Sequence, residues 1–332
     1  MKKEIVLTGD RPTGKLHLGH YVGSLAKRLE FQEIYDQYVL VANMQALTDH
    51  MHEPELITNS IQEVMLDYLA IGLDPKKTTI CLQSHLPALS ELFMYYLNLV
   101  TWNQLKHNPT VKAEIVQKKM GEEVPAGFMT YPISQAADIT AFKAKYVPVG
   151  DDQIPMLEDC AHVVKKFNRI YKPVLVEPVP ILSEYGRLPG IDGNAKMSKS
   201  LNNAIYLADS ADEVAAKVKK MFTDPKHLKV EDPGNPDNPV FLYLSVFDPD
   251  QAKVEEMKDH YRRGGLGDVV VKKRLLDVMQ AFLEPIRKRR QELQKDPSYV
   301  MDVLKKGTEK ARITTNQTLL EVREALGIKF NF

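Results

Sequence analysis

Two short runs carry the side chains best suited to chemistry. Near the start, Gly9-Asp10-Arg11-Pro12-Thr13-Gly14 is followed by His17-Leu18-Gly19-His20, which sets two imidazoles three residues apart. Much later, Lys196-Met197-Ser198-Lys199-Ser200 follows Gly193-Asn194-Ala195 and offers two lysines with two residues between them. Imidazole N–H groups at the opening of a helix suit phosphate oxygens, because the unpaired backbone donors and the helix dipole already favour negative charge there. Glycine at position 19 lets a flat ring approach the backbone with no Cβ in the way. Movable lysine charges matter most to a triphosphate when its charge is redistributed in the transition state. Taken singly, the first run reads as ordinary helix caps and the second as a solvated basic loop. Taken together, they bracket one nucleotide site.

The elements that must position these runs follow from hydrophobic patterning. Ile5 to Thr8 reads as a buried strand entering a glycine-containing loop, and Leu18 to Leu29 as the helix that opens at the second histidine. Strands are expected at Tyr38 to Ala42, Thr78 to Leu82 and Tyr146 to Val149, with a β-rich stretch at Val174 to Pro180. Helical stretches are expected at Ile57 to Ile71, stopped by Gly72, then at Leu86 to Gln117, Ile133 to Phe142 and Gln153 to Tyr171. Lys118 to Gly127 reads as a polar surface loop. This alternation predicts an α/β fold, a doubly wound parallel sheet of Rossmann type whose ligands bind beyond the carboxyl ends of the strands. Past Ser200 strand signals thin out, and Ala211 to Met221, Gln251 to Tyr261, Gly267 to Lys295 and Ser298 to Leu326 read as helices. The expected division is therefore a catalytic domain over 1–204 and a C-terminal α-helical domain over 205–332, with the last helix able to pack back on the first domain. The proline- and asparagine-rich run 232–239 reads as a connector.

Composition narrows the function. The 332 residues carry 44 basic and 44 acidic side chains, so any contact with nucleic acid must be local rather than global. No stretch reaches the roughly 18 apolar residues of a membrane span, and a cytoplasmic location is expected. Cys81 and Cys160 stand far apart and outside any C-x-x-C spacing, which argues against a disulfide framework or thiolate zinc site. They read as small buried hydrophobes.

The two runs together resemble the paired signatures of class I aminoacyl-tRNA synthetases, usually spelled HIGH and KMSKS. The second is matched letter for letter, and the first differs by leucine for isoleucine. By that resemblance His17, His20, Lys196 and Lys199 are the catalytic residues. The histidines stabilise the ATP phosphates during attack by the amino-acid carboxylate, and the lysines hold the pyrophosphate leaving group. ATP would be bound by Arg11, Thr13, Gly14, Gly19, His20, Gly150, Asp152, Lys196, Met197, Ser198 and Lys199. Mg2+ would arrive with the triphosphate, held mainly by phosphate and water, so no dedicated metal site is expected on the chain.

Thr130-Tyr131-Pro132-Ile133-Ser134-Gln135-Ala136-Ala137-Asp138-Ile139 and Val147-Pro148-Val149-Gly150-Asp151-Asp152-Gln153 are similar to the tryptophan and tyrosine branch of that family, and in spelling to its tryptophan members. An aspartate facing an apolar pocket can accept the indole N–H, a group that only donates. Asp138 is the residue expected there, with Thr8, Gly9, Gln45, Tyr131, Gln135, Val147, Val149 and Gln153 completing a tryptophan site. Gln135, Asn43-Met44-Gln45 and Asp10-Arg11 depart from the branch's usual spelling. The resemblance implies L-tryptophan and tRNA(Trp) as substrates, a homodimer, and anticodon reading by the helical domain. Its candidate phosphate contacts are Lys217, Lys219, Lys220, Lys272, Lys273, Arg274 and the cluster Arg287 to Arg290. Leu86 to Trp102 is either the dimer interface or a core helix. Tyrosylation, or nucleotide and RNA binding without charging, are the alternative functions.

Overall fold

The structure is a computed structural model that describes residues 3–121, 123–182, 188–193, 197 and 201–330. In chain order, β1 (Ile5–Asp10) leads into a helical run made of α1 (Leu18–His20), a π-helical turn (Tyr21–Leu25) and α2 (Ala26–Ile34). There follow β2 (Asp36–Val41), α3 (Asn43–His50), α4 (Pro54–Ile71), β3 (Thr78–Leu82), α5 (Pro87–Leu97), α6 (Trp102–His107), α7 (Pro109–Gln117) and α8 (Ala126–Ala141). Then come β4 (Tyr146–Val149), α9 (Ile154–Ile170), β5 (Val179–Leu182), α10 (Ala211–Lys220), α11 (Pro239–Phe247), α12 (Gln251–Arg263), α13 (Asp268–Gln294) and α14 (Pro297–Leu326).

All strand pairs are parallel, in the order β3-β2-β1-β4-β5. The chain builds the sheet outward from β1 in one direction, then restarts on its other side with β4. The crevice between the carboxyl ends of β1 and β4 is thus the topological switch point, where such sheets bind ligands. Gly9 allows β1 to lie close to β2, since a Cβ there would stand 2.4 Å from the Leu40 carbonyl oxygen. α4 stops where expected, at Gly72, whose φ of 109° suits glycine.

The structure corrects several expectations. Leu86 to Gln117 is three helices, because Thr101 and Gln104 form a capping box for α6, and Asn108 caps α7 with Pro109 at its first position. The apolar pattern ran through these local stops. α8 begins at Ala126, within the expected loop, and carries Pro132 in its interior. β5 begins only at Val179, where it pairs with Tyr146. Asn43 to Gln45 follow the end of β2 and open α3. α11 starts directly after Asn238, whose side chain accepts from the N–H groups of Val240 and Phe241, so the connector gives way to an apolar helix.

α14 runs back to β3, the edge strand of the sheet. A Cβ on Gly307 would lie 2.0 Å from the Ile80 carbonyl oxygen, and the Leu82 N–H donates to Thr308 Oγ1 at 3.0 Å. Lys310 Nζ donates to Thr79 Oγ1, and the hydroxyls of Thr314 and Tyr38 are bonded at 3.1 Å. α13 is fastened to α4 by a buried ion cluster. Arg290 reaches Asp67 Oδ1 and Glu63 Oε2, each at 2.5 Å, while Asp67 Oδ2 accepts from the Leu16 N–H. Burial raises the Asp67 pKa to about 6 in spite of Arg290. Among the described residues, no helix is long and apolar enough to cross a membrane.

Candidate active site

A cavity of about 460 Å³ opens at the switch point. Its walls include Thr8, Gly9, Arg11, Thr13, His20, Gln45, Tyr131, Gln135, Asp138, Val147, Val149, Gly150 and Gln153, which the sequence singled out. Gly14, His17, Gly19 and Asp152 adjoin this wall without forming it. Lys196, Ser198 and Lys199 lie outside the described residues. Leu7, Gly23, Ser24, Glu114 and Ile139 also line the cavity and were not singled out, and Asp10, noted only for its departure in spelling, lines it too.

The first loop places its histidines through backbone and ring packing. His17 is buried, with its backbone bridged to Tyr206 and its ring centroid 3.8 Å from that of His20. His20 Nδ1 accepts from the His17 N–H at 3.1 Å. A Cβ on Gly19 would meet the His17 ring at 2.9 Å, and the Gly19 N–H points at Met197 Sδ, 3.3 Å away. Met197, the described residue of the second run, therefore lies against the first. The π-helical turn that follows His20 widens the helix beside the cavity, a distortion common at functional sites.

Beneath this loop lies an ion pair that the sequence reading missed. Arg28 is 1% exposed, and its Nη1 reaches Asp10 Oδ2 at 2.7 Å while Nε donates to Thr8 Oγ1 at 3.1 Å. The Tyr68 hydroxyl donates to the same Asp10 oxygen at 2.6 Å. Burial alone would raise the Asp10 pKa, but Arg28, with His20 and Tyr68, holds it down at about 2. The pair fixes the carboxyl end of β1 as a charged, rigid cavity wall. At the rim, Asp49 binds both Arg11 Nη1 at 2.5 Å and Lys118 Nζ at 2.9 Å.

α8 presents Tyr131, Gln135 and Asp138 on one face, at spacings of four and three residues. Asp138 is buried, and the Gln83 amide donates to its two oxygens at 3.1 and 2.8 Å. Burial pushes its pKa up to about 7, with the Gln83 bond opposing the rise. Val147 and Val149 of β4 supply apolar wall nearby. The Tyr131 hydroxyl donates to Glu114 Oε2 at 3.2 Å, and Gln45 Nε2 donates to the Tyr131 carbonyl at 3.3 Å. The cavity thus joins an apolar recess with one acceptor at its base to a rim carrying a histidine and an arginine. Such a shape can hold an aromatic amino acid beside a phosphate chain.

Both cysteines are buried, and burial pushes their thiols up, which leaves them without a part in this chemistry. Several cations expected to meet RNA are engaged internally. Arg290 is buried in its ion cluster, Arg274 binds Asp248 through two nitrogens, Lys217 binds Asp209, and Arg289 donates to the Ala70 carbonyl. Lys219, Lys220 and Lys288 remain exposed. In α5 the face bearing Leu89, Leu92 and Tyr96 belongs to the core, which leaves Met94 and Trp102 as the exposed apolar residues of that stretch, at 60% and 63%.

Comparison with known proteins agrees with this arrangement. A family model described as tRNA synthetases class I (W and Y) matches residues 1–284. The chain is 59% identical to the tryptophan–tRNA ligase of Clostridium longisporum, across 99% of this chain and 98% of that protein. It is 56% identical to the tryptophan–tRNA ligase of Streptococcus mutans, across 99% and 100%. Among solved structures, a tryptophanyl-tRNA synthetase from Campylobacter jejuni complexed with ADP and tryptophan superposes with a TM-score of 0.85 at 29% identity, covering 97% of this chain and 99% of that one. The two signature runs, the switch-point cavity and these relatives lead to one conclusion: the chain belongs to the class I tRNA synthetases, in the tryptophan and tyrosine branch.

Proposed function

We propose that this chain is an enzyme that activates L-tryptophan with ATP to tryptophanyl-adenylate and pyrophosphate, then transfers tryptophan to tRNA(Trp). The observation that carries this reading is Asp138, a buried carboxylate held by Gln83 at the base of an aromatic-sized cavity. The indole N–H is a donor with no acceptor function, so a fixed buried acceptor selects for it and rejects side chains that would leave it unpaired. Val147 and Val149 are assigned to the ring, and Thr8, Gly9, Gln45, Tyr131, Gln135 and Gln153 to the rest of the amino acid.

The phosphates are assigned to the rim. Arg11, Thr13 and His20 line it, with Gly14, His17, Gly19, Gly150 and Asp152 shaping the backbone around it. Lys196, Met197, Ser198 and Lys199 are assigned to the leaving pyrophosphate on the strength of their spelling. The reaction needs no protein nucleophile, because the substrate carboxylate attacks the α-phosphate. The chain contributes orientation and charge. Mg2+ enters with ATP, carried on phosphate oxygens and water. When bound, it neutralises phosphate charge.

The catalytic unit is assigned to 1–204 and the tRNA-reading helical unit to 205–332, acting as a cytoplasmic homodimer. Amino-acid-dependent ATP–pyrophosphate exchange across the twenty standard amino acids tests the proposal. Exchange with tryptophan alone supports it, exchange with tyrosine reassigns Asp138, and no exchange leaves a nucleotide- or RNA-binding protein.

A further inference from the structure

The cavity wall contains three carboxylates, Asp10, Glu114 and Asp138. Asp10 is neutralised by Arg28, and Asp138 is engaged by Gln83 at the apolar base. Glu114 has neither arrangement. Among the described residues its carboxylate accepts from the Tyr131 hydroxyl, and no cation lies within ion-pair distance of it. Arg11, on the same cavity wall, and Lys118, at the end of α7, are both held by Asp49, and Lys112 Nζ lies 3.0 Å from His107 Nδ1.

The placement of Glu114 is built rather than incidental. Asn108 caps α7 by accepting from the Thr110 and Val111 N–H groups, and its amide donates to Asp159 Oδ2 at 2.6 Å. The Thr110 hydroxyl donates to the Asp152 carbonyl at 2.9 Å, which ties α7 to the loop carrying Gln153. Val111 is fully buried in a small cluster with Phe128, Met129 and Met156. These contacts hold α7 against α8 and α9 and bring Glu114, one turn beyond Val111, to the cavity wall. An amino acid bound there brings an ammonium with three donors and a full positive charge, which needs an ionised partner when water is displaced.

Resting on the proposed amino-acid site, we infer that Glu114 receives the substrate α-ammonium, and that Tyr131 aims the Glu114 carboxylate. The site then reads a tryptophan at two separate points, the indole N–H at Asp138 and the ammonium at Glu114. Charge-assisted hydrogen bonds of this kind are among the stronger polar contacts. Ligands lacking the ammonium gain nothing from Glu114.

The test measures direct binding of tryptophan, tryptamine (ammonium without carboxylate) and indole-3-propionate (carboxylate without ammonium) to the full chain by calorimetry. Wild type is compared with Glu114→Gln, Glu114→Asp and Tyr131→Phe. The expected result is a loss of about tenfold or more for tryptophan and tryptamine in E114Q, with indole-3-propionate unaffected. E114D retains the charge and recovers part of the tryptamine affinity, and Y131F shows a smaller loss of the same selectivity. Equal weakening of all three ligands in a folded E114Q would make Glu114 a scaffold residue, and unchanged binding of all three would remove it from recognition. Wild-type protein that fails to bind tryptophan would instead overturn the underlying assignment of the substrate.

Discussion

The side-chain amide of Gln83, just beyond the end of β3, donates to both carboxylate oxygens of Asp138 on α8, at 3.1 and 2.8 Å. Because this bond favours the ionised form, Gln83→Leu raises the Asp138 pKa above its value of about 7. A protonated Asp138 loses the charge that strengthens its bond to the indole N–H, a difference of about 1–1.5 kcal/mol. The KM for tryptophan should therefore rise about tenfold, and its pH dependence should move to higher pH. Pyrophosphate exchange against pH checks both, and an unshifted profile would place the titration elsewhere.

Stability should also report Asp138. Its pKa is about 7 in the folded chain against 3.8 for a free carboxyl. Below 3.8 both states are protonated and the burial carries no penalty. Between 3.8 and about 7 the folded state retains a proton that the unfolded state has released, so stability falls as pH rises through that window and then levels off. Asp138→Asn removes the loss, which is on the order of 4 kcal/mol at most. Melting curves at several pH values should show the variant gaining on wild type from acidic to neutral pH, and parallel curves would contradict this.

Asp10 behaves in the opposite sense. Its folded pKa of about 2 lies below the ordinary 3.8, so its contribution is present above 3.8 and lost as pH falls toward 2. Arg28→Met leaves this buried carboxylate without its cation, a change that typically costs about 3–5 kcal/mol. Urea denaturation at neutral pH should show a lowered midpoint, and the difference should narrow at strongly acidic pH. A midpoint equal to wild type would mean that Tyr68 and solvent suffice.

Two groups of cations in the helical part should separate in a tRNA-binding assay. Lys219, Lys220 and Lys288 are exposed, so replacing each with alanine should lower the salt slope of tRNA affinity by ~1 if it meets a phosphate. Arg290 is buried against Asp67 and Glu63, so Arg290→Met should destabilise the fold by about 3–5 kcal/mol. It should leave the salt slope of the folded fraction unchanged. A reduced slope in that variant would show that Arg290 leaves its cluster to bind RNA.

Gly307→Ala places a Cβ 2.0 Å from the Ile80 carbonyl oxygen, between two backbones that cannot yield as a flexible side chain would. Overpacking of this kind costs about 1–3 kcal/mol. A lowered melting temperature together with faster amide exchange in β3 is expected. Retained protection there would show that α14 can shift on the sheet at little cost.

The parts of this molecule that repeat a physical pattern over several residues were legible in the chain. β1 to β4 stand out as short β-branched or apolar runs, and α4 shows both its periodicity and its glycine stop. The breaks at Thr101 and Asn108 were not read, although both residues are good caps, because apolar spacing continues across them. Asp138, Tyr131 and Gln135 could be selected because their local spelling is distinctive and helical spacing turns them one way. Gln83 and Arg28 could not, since their roles depend on partners 55 and 18 residues distant. A usable signal was their setting: a polar side chain directly after an apolar strand, and a lone arginine on a helix face otherwise turned inward.

The pairing of α14 with β3 also bears on the order in which the chain can mature. Leu82 must wait for Thr308, 226 residues further along, before its N–H finds the partner it has in the finished fold. While the ribosome extends the chain, the open flank of the sheet is therefore exposed to other strands, the situation that invites aggregation. A nascent chain stalled before residue 297 should need a chaperone more than the completed one, and release of the last helix should act as the step that seals the sheet.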